Sequence, residues 1–314
     1  MAQAAFIAGD WGTTNLRLSL CDATGVVLDS VTGPGVSHAA GRFETLFADL
    51  TSPWTERHGR LPAVLCGMVG STIGWTNVPY VACPCAPERI ADAMTALSEH
   101  AVHIAPGLSC RNRNQSPDVL RGEETQLLGA IRLQPDLARG LHLLCLPGTH
   151  TKWVVLEDGA VREFVTSVTG ELFAVVNQHS VLVRGEGESA DGDAAFQRAA
   201  EHVLQHPAAA LPHLLFECRS RQVAGELTRA DAPHFLSGLL IAHDVLSATR
   251  IFADAAAATS SVTLIGTPQL MRLHKRVLTN LRLRADCIDG TDASLAGLTF
   301  LYQTRVNKER ASGT

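Results

Sequence analysis

Two short segments far apart in the chain carry the residue types that handle anions. Asp10-Trp11-Gly12-Thr13-Thr14-Asn15 puts an acidic side chain just before a tight turn rich in hydroxyls and backbone N–H donors. Pro147-Gly148-Thr149-His150-Thr151-Lys152 is a second donor-rich turn, with a cation added. Glycine lets the backbone approach a phosphate, and successive N–H groups form an anion-binding concavity. A carboxylate beside such a turn repels a bare phosphate but holds Mg²⁺ through water, which makes Asp10 the candidate metal residue. Gly12, Thr13 and Thr14 are then the first set of phosphate contacts, and Gly148, Thr149 and Lys152 the second. A lone D-x-G-T-T also suits an ordinary hairpin turn. Repetition at matched places favours the clamp, and His150 reads as a structural hydrogen bonder.

The elements around these turns repeat as well. Ala4 to Gly9 reads as an apolar strand, Leu16 to Leu20 alternates with period two, and a third strand starts after the Asp22-to-Gly25 turn. Leu141 to Leu146, Trp153 to Leu156 and Val161 to Val165 repeat that pattern around Gly148. The spacing therefore predicts two related β-meander-plus-helix halves, residues 1–138 and 139–314, with the last helix packing back on the first half. Helices are expected over Phe43 to His58 (with Pro53 a break point), Glu88 to His100, Asp118 to Gln134, Leu172 to Val183, Ala194 to Leu204, Pro233 to Ala258, Pro268 to Leu278 and Asp292 to Tyr302. The polar Gly-rich stretch 184–193 reads as a solvated linker. Mixed halves of this kind make a two-lobed α/β protein with a central cleft.

Composition narrows the partners. The chain has 314 residues, a formal charge of −5 and 5% aromatics, which argues against a nucleic-acid or anionic-membrane surface. The first residues lack the basic and apolar regions of a signal peptide, and the longest apolar run, near Phe235 to Leu246, is broken by Ser237, His243 and Asp244. A cytoplasmic protein is expected. Its eight cysteines are mostly single residues among apolar neighbours, and Cys83-Pro84-Cys85 lacks the second pair a zinc site needs. P-loop, dinucleotide-binding, zincin and α/β-hydrolase motifs are absent.

Asp10 to Arg17 resembles the first phosphate motif of the sugar kinase/hexokinase/actin superfamily. The chain more closely resembles the 2-dehydro-3-deoxygalactonokinase family. The carrying segments are Cys66-Gly67-Met68-Val69-Gly70-Ser71, Gly74-Trp75 with Pro79-Tyr80, Arg121-Gly122-Glu123-Glu124-Thr125-Gln126, Leu146 to Trp153, Thr169-Gly170-Glu171-Leu172-Phe173 and Leu236-Ser237-Gly238-Leu239-Leu240-Ile241. The resemblance implies an actin-like ATPase (ribonuclease H-like) fold. It also implies ATP- and Mg²⁺-dependent phosphorylation of the 6-hydroxyl of 2-dehydro-3-deoxy-D-galactonate, in galactonate and galactose breakdown. Related kinases place a catalytic acid ahead of the second phosphate turn. Glu123 stands there as the candidate base, with Glu124 and Asp10 as alternatives. Both glutamates would equally serve to offset the positive end of a helix.

A sugar acid needs a cation and amide donors. Arg17 and Arg121 are the candidate cations, and Gly67, Gly70 and Ser71 form a turn able to read hydroxyls. Trp75 and Tyr80 would wall the sugar or pack in a core. Gly266, in Ile265-Gly266-Thr267-Pro268, resembles the superfamily's adenosine loop. Partners are then the sugar acid and ATP, with a homodimer left open. Two other readings remain: a kinase of the same superfamily for another sugar acid or amino sugar, and a nucleotide-dependent sugar sensor without turnover.

Overall fold

The computed structural model describes residues 3–183, 191–259 and 261–306. The expected linker lies, up to residue 190, outside the described residues. The chain forms two compact units: Met1–Gly140, Leu156–Glu163 and Ile288–Thr314 in the first, Leu141–Val155 and Phe164–Cys287 in the second.

The first unit is built on β1 (Ala4–Trp11), β2 (Asn15–Asp22) and β3 (Val27–Pro34), an antiparallel meander with Ile7 opposite Leu20 and Leu18 opposite Val31. Leu16, Leu18 and Leu20 are buried while Asn15 and Arg17 stay exposed, as alternation along a strand requires. Helices α1 (Val36–Ala39) and α2 (Phe43–His58) lead to β4 (Ala63–Cys66), fully buried and parallel to β1. There follow β5 (Val81–Ala82), α3 (Pro87–Asp92), β6 (Thr95–Leu97), β7 (Val102–Ile104), β8 (Leu108–Arg111), β9 (Pro117–Leu120) and α4 (Glu123–Leu133). The main sheet has the order β3-β2-β1-β4-β7-β6, and β5-β8-β9 form a small one.

The second sheet contains β10 (Leu141–Leu146), β11 (Thr151–Glu157), β12 (Ala160–Ser167), β13 (Ser261–Gly266) and β14 (Arg284–Asp289) in the order β12-β11-β10-β13-β14. Its helices are α5 (Thr169–His179), α6 (Gly192–Gln205), α7 (Leu211–Val223), α8 (Ala232–Ile251), α9 (Ala253–Thr259) and α10 (Pro268–Asn280). The last helix, α11 (Gly290–Leu301), belongs to the first unit and lies against α4 at backbone distance. A Cβ at Gly129 would run into the Ala293 carbonyl, and one at Gly297 into that of Thr125. The strand order β3-β2-β1-β4-β7 matches β12-β11-β10-β13-β14 position for position. An antiparallel meander continued by parallel strands, present twice, is the actin-like ATPase (ribonuclease H-like) fold.

Some expected elements differ. Glu88 to His100 is not one helix: the chain leaves α3 and pairs Ala96 with His103 in an antiparallel ladder. Asp118 to Gln134 divides into β9 and α4 because Gly122 takes φ +103°, which no helix passes through. Pro53 does not break α2; the Asp49 carbonyl it leaves without an amide accepts the Ser52 hydroxyl at 2.9 Å instead. The long helix expected to Ala258 bends by 90° between α8 and α9. No single helix among the described residues is long and apolar enough to cross a membrane, although the bent pair α8–α9 passes that test of length and composition.

Candidate active site

In the first unit, three sequence segments meet at the ends of β1 and β4. Asp10 stands opposite Arg17 on β2 and Cys66 on β4. Gly67 follows at φ +91°, so close that a Cβ there would meet the Trp11 carbonyl oxygen at 2.8 Å and Asp10 Oδ1 at 3.3 Å. A Cβ at Gly122 would in turn meet Gly67 Cα at 3.4 Å. Gly67 thus lies between the Asp10 carboxylate on one side and Gly122, the residue before α4, on the other. Burial raises the Asp10 pKa above the usual carboxylate value, with Arg17 pulling the other way. Burial also raises the Cys66 thiol, and the carboxylates of Asp10, Glu124 and Glu123 raise it further.

The two glutamates separate in role. Glu124 is fully buried; its carboxylate accepts from the Gly122 amide at 2.6 Å and the Thr125 hydroxyl at 3.0 Å. Burial, then the neighbouring Glu123, push its pKa up to about 7. Glu123 is only partly buried and accepts the Arg121 amide at 3.0 Å through Oε2. Both therefore bind N–H groups at the helix start, which is the electrostatic use expected of early helical acids. Of the pair, Glu123 alone retains exposed surface.

Around them, Arg121 donates Nη2 to the Val78 carbonyl at 2.7 Å and lies 4.4 Å from the centre of the Tyr80 ring. Gly70 and Ser71 use their amides within their own turn, donating to Gly67 and Met68, and the Ser71 hydroxyl also donates to Met68 at 2.7 Å. Trp75 packs among Trp11, Phe47 and His100, which accounts for its ring as core. Arg17 is exposed on β2. The first turn is held from below: Gly12, Thr13 and Thr14 accept through their carbonyls from the amides of Val36, Ser37 and Gly35. Thr13 and Thr14 are exposed. Among the described residues, no group of three His, Cys, Asp or Glu side chains is placed to hold a metal.

The second unit repeats this construction. Gly148 and Thr149 follow β10, and the Thr149 carbonyl accepts the Glu171 amide at 2.9 Å. A Cβ at Gly170 would run into the Gly148 carbonyl, as one at Gly35 would run into that of Thr13. Gly266, at the end of β13, lies beside Pro147: a Cβ there would find the Pro147 oxygen at 3.4 Å. The second turn, the start of α5 and the start of α10 thus meet at the ends of two parallel strands, where α/β proteins bind ligands. Lys152 is buried and donates to the Thr166 hydroxyl at 2.9 Å, while His150 meets Glu171 at 2.6 Å. Beneath the turn, buried Asp244 accepts from Trp153 Nε1 and the Thr169 hydroxyl.

Gly35, Ser37 and Asp244 were not singled out from sequence, and Gly170 and Glu171 only as part of a resemblance. The signal available for the first was Gly33-Pro34-Gly35, a breaker cluster at a strand end.

A duplicated meander-plus-helix fold with a donor-rich turn in each unit places the chain among the actin-like ATPases. A family model described as 2-keto-3-deoxy-galactonokinase matches residues 10–301. A protein of Rhizobium meliloti described as a probable 2-dehydro-3-deoxygalactonokinase is 37% identical over 302 residues, covering 94% of this chain and 95% of that one. The 2-dehydro-3-deoxygalactonokinase of Escherichia coli is 34% identical over 305 residues, covering 97% and 99%. A crystal structure from Sinorhizobium meliloti, assigned provisionally to the same activity, superposes with a TM-score of 0.85 at 35% identity, covering 95% of this chain and 98% of that one. The chain belongs to the 2-keto-3-deoxy-galactonokinase family. It is an ATP-using phosphotransferase of carbohydrate metabolism, acting on 2-dehydro-3-deoxygalactonate in galactonate breakdown.

Proposed function

We propose that Glu123 is the base that accepts the proton of the sugar acid's 6-hydroxyl as that oxygen attacks the γ-phosphorus of ATP. The O6–P bond forms, the bond from the γ-phosphorus to the β,γ-bridging oxygen breaks, and ADP leaves. The supporting observation is the packing of Gly122, the residue before α4, on Gly67, which itself lies against the Asp10 carboxylate. Phosphoryl transfer needs positioning and charge stabilisation more than covalent chemistry, and the Arg121 amide holds the Glu123 carboxylate in place at 3.0 Å. Glu124, buried and bonded within the loop, orients that loop.

Residues 1–138 carry the sugar-acid site on this reading. Residues 139–314 supply the nucleotide contacts through Gly148, Thr149 and the Gly266 loop, with the last helix joining the first unit. Thr13 and Thr14 add phosphate donors. Asp10 fits a divalent cation by its chemistry: it is a partly buried carboxylate at the end of β1, two residues before the Gly12–Thr14 turn, and Mg²⁺ bound there would neutralise charge on the transferring phosphoryl group. The partners are the sugar acid and ATP, without nucleic acid or membrane, in the cytoplasm. The formal charge of −5 agrees with that.

The test is steady-state ADP release in Glu123→Gln and Asp10→Asn. Loss of a general base removes about 10²–10⁴-fold from kcat, so Glu123→Gln should fall at least 100-fold with little change in KM. Asp10→Asn should raise the Mg²⁺ concentration needed for half-maximal rate. Unchanged turnover in both variants would overturn the assignment.

A further inference from the structure

Arg121 carries a charge that the protein does not neutralise. One nitrogen, Nη2, is committed to the Val78 carbonyl. Nε and Nη1 are shut off from solvent and have no hydrogen-bond acceptor. No carboxylate among the described residues forms an ion pair with this guanidinium; the Glu123 contact is to the Arg121 backbone amide instead. Its walls are the Tyr80 ring and the main chain at Gly70, where a Cβ would meet Nη1 at 2.8 Å. Stacking on a ring stabilises a cation modestly, whereas withdrawing a guanidinium from water without an anion is costly. Arg17, the other candidate cation, differs on each point: it is exposed and faces Asp10 across β1 and β2.

We propose that the counter-charge missing at Arg121 is the C1 carboxylate of the sugar acid, and that Tyr80, 43% exposed, is the movable wall that admits it. The proposal rests on the substrate reading above and deepens it. Arg121 stands two residues before Glu123, so one short segment grips both ends of an open six-carbon acid, the carboxylate at Arg121 and the terminal hydroxyl at Glu123. Arginine suits this task because its planar, permanently charged fork matches a carboxylate. Selectivity for the acid over a neutral analogue then comes from Arg121: without the carboxylate, its buried nitrogens stay unpaired.

The experiment compares two substrates, 2-dehydro-3-deoxygalactonate and its C1 methyl ester, on wild type, Arg121→Gln, Arg121→Lys and Tyr80→Leu. Turnover is read by ADP release and binding of each compound by calorimetry, and thermal unfolding establishes that each variant is folded. A charge-assisted contact corresponds to about a 10- to 100-fold effect. Arg121→Gln should weaken the acid by that factor, through KM, and leave the ester within about threefold. Arg121→Lys should fall between, and Tyr80→Leu should raise KM for the acid several-fold at unchanged kcat. Equal losses for acid and ester, or none for the acid, would overturn the proposal. If Arg121→Gln does not fold, the Lys and Leu variants decide by the same ratio. A wild type that neither binds nor phosphorylates the acid, yet turns over another sugar, would overturn the substrate reading and this proposal with it; a wild type active on the acid with an unselective Arg121 variant would overturn this proposal alone.

Discussion

Glu124 shows how a side chain's surroundings set what it can do. Its carboxyl, pushed up to about 7 from 4.5, stays protonated in the folded chain where the unfolded chain has already ionised. The folded state therefore binds more protons across that window, and its contribution to stability is fully present below about pH 4.5 and lost as pH rises to about 7. The loss is on the order of 3 kcal/mol at most. Asp10 is raised in the same direction, so the comparison belongs in an Asp10→Asn background. There, stability from urea unfolding should fall more steeply with pH in this window, or rise less, than it does once Glu124→Gln is added, because His243 and His274, lowered by burial, contribute the opposite slope in both proteins. An unchanged slope would mean Glu124 is ionised in the fold. Sequence alone paired Glu123 with Glu124, since both occupy the first turn of one helix. Their different burial follows from how α4 is packed, and the approach of α4 to α11 is set at Gly129 and Gly297, whose contacts lie more than a hundred residues away in the chain.

Elements explain why the two Gly-Thr turns are held rigidly. In each unit a glycine at the start of the helix after the meander, Gly35 or Gly170, lets that helix approach the Gly-Thr turn at backbone contact. Gly170→Ala forces the Gly148 carbonyl to move, so it should destabilise by about 1–3 kcal/mol and raise KM for ATP several-fold, measured by thermal unfolding and initial rates. Gly266→Ala meets only ordinary contact with Pro147. It should leave stability nearly unchanged, and any rise in its KM for ATP would report closeness of the nucleotide. Equal destabilisation in the two variants would contradict this account. The strands β1, β10 and β13 were legible because apolar runs end at Gly-Thr turns, and β2 because its leucines alternate with period two. By contrast, β8, β9 and α7 were hidden: Leu108–Arg111 and Pro117–Leu120 are short and half polar, and α7 is too weakly amphipathic to stand out.

At the scale of the whole molecule, one strand order used twice gives each unit its own donor-rich turn at a strand end. The duplication was visible in sequence as matched turns, Gly12 with Gly148, because a glycine at a strand end is constrained by backbone geometry. The last helix was expected against the first half and does belong to the first unit; less visible was the assignment of residues 156–163 to that unit, since it depends on contacts between distant segments. If the two units bind different ligands, ATP and the sugar acid should each raise the unfolding temperature when added alone, in proportion to RT ln(1 + [L]/Kd). A shift with neither ligand at saturating concentration would contradict that division.

The most direct measurement is a coupled assay of ADP release by the purified chain with Mg-ATP, offered 2-dehydro-3-deoxygalactonate, glucose and N-acetylmannosamine in turn, for wild type and Glu123→Gln. The account predicts ADP release that requires the sugar acid and falls at least 100-fold in the variant. Binding of acid and nucleotide without ADP release, or full turnover in Glu123→Gln, would contradict it.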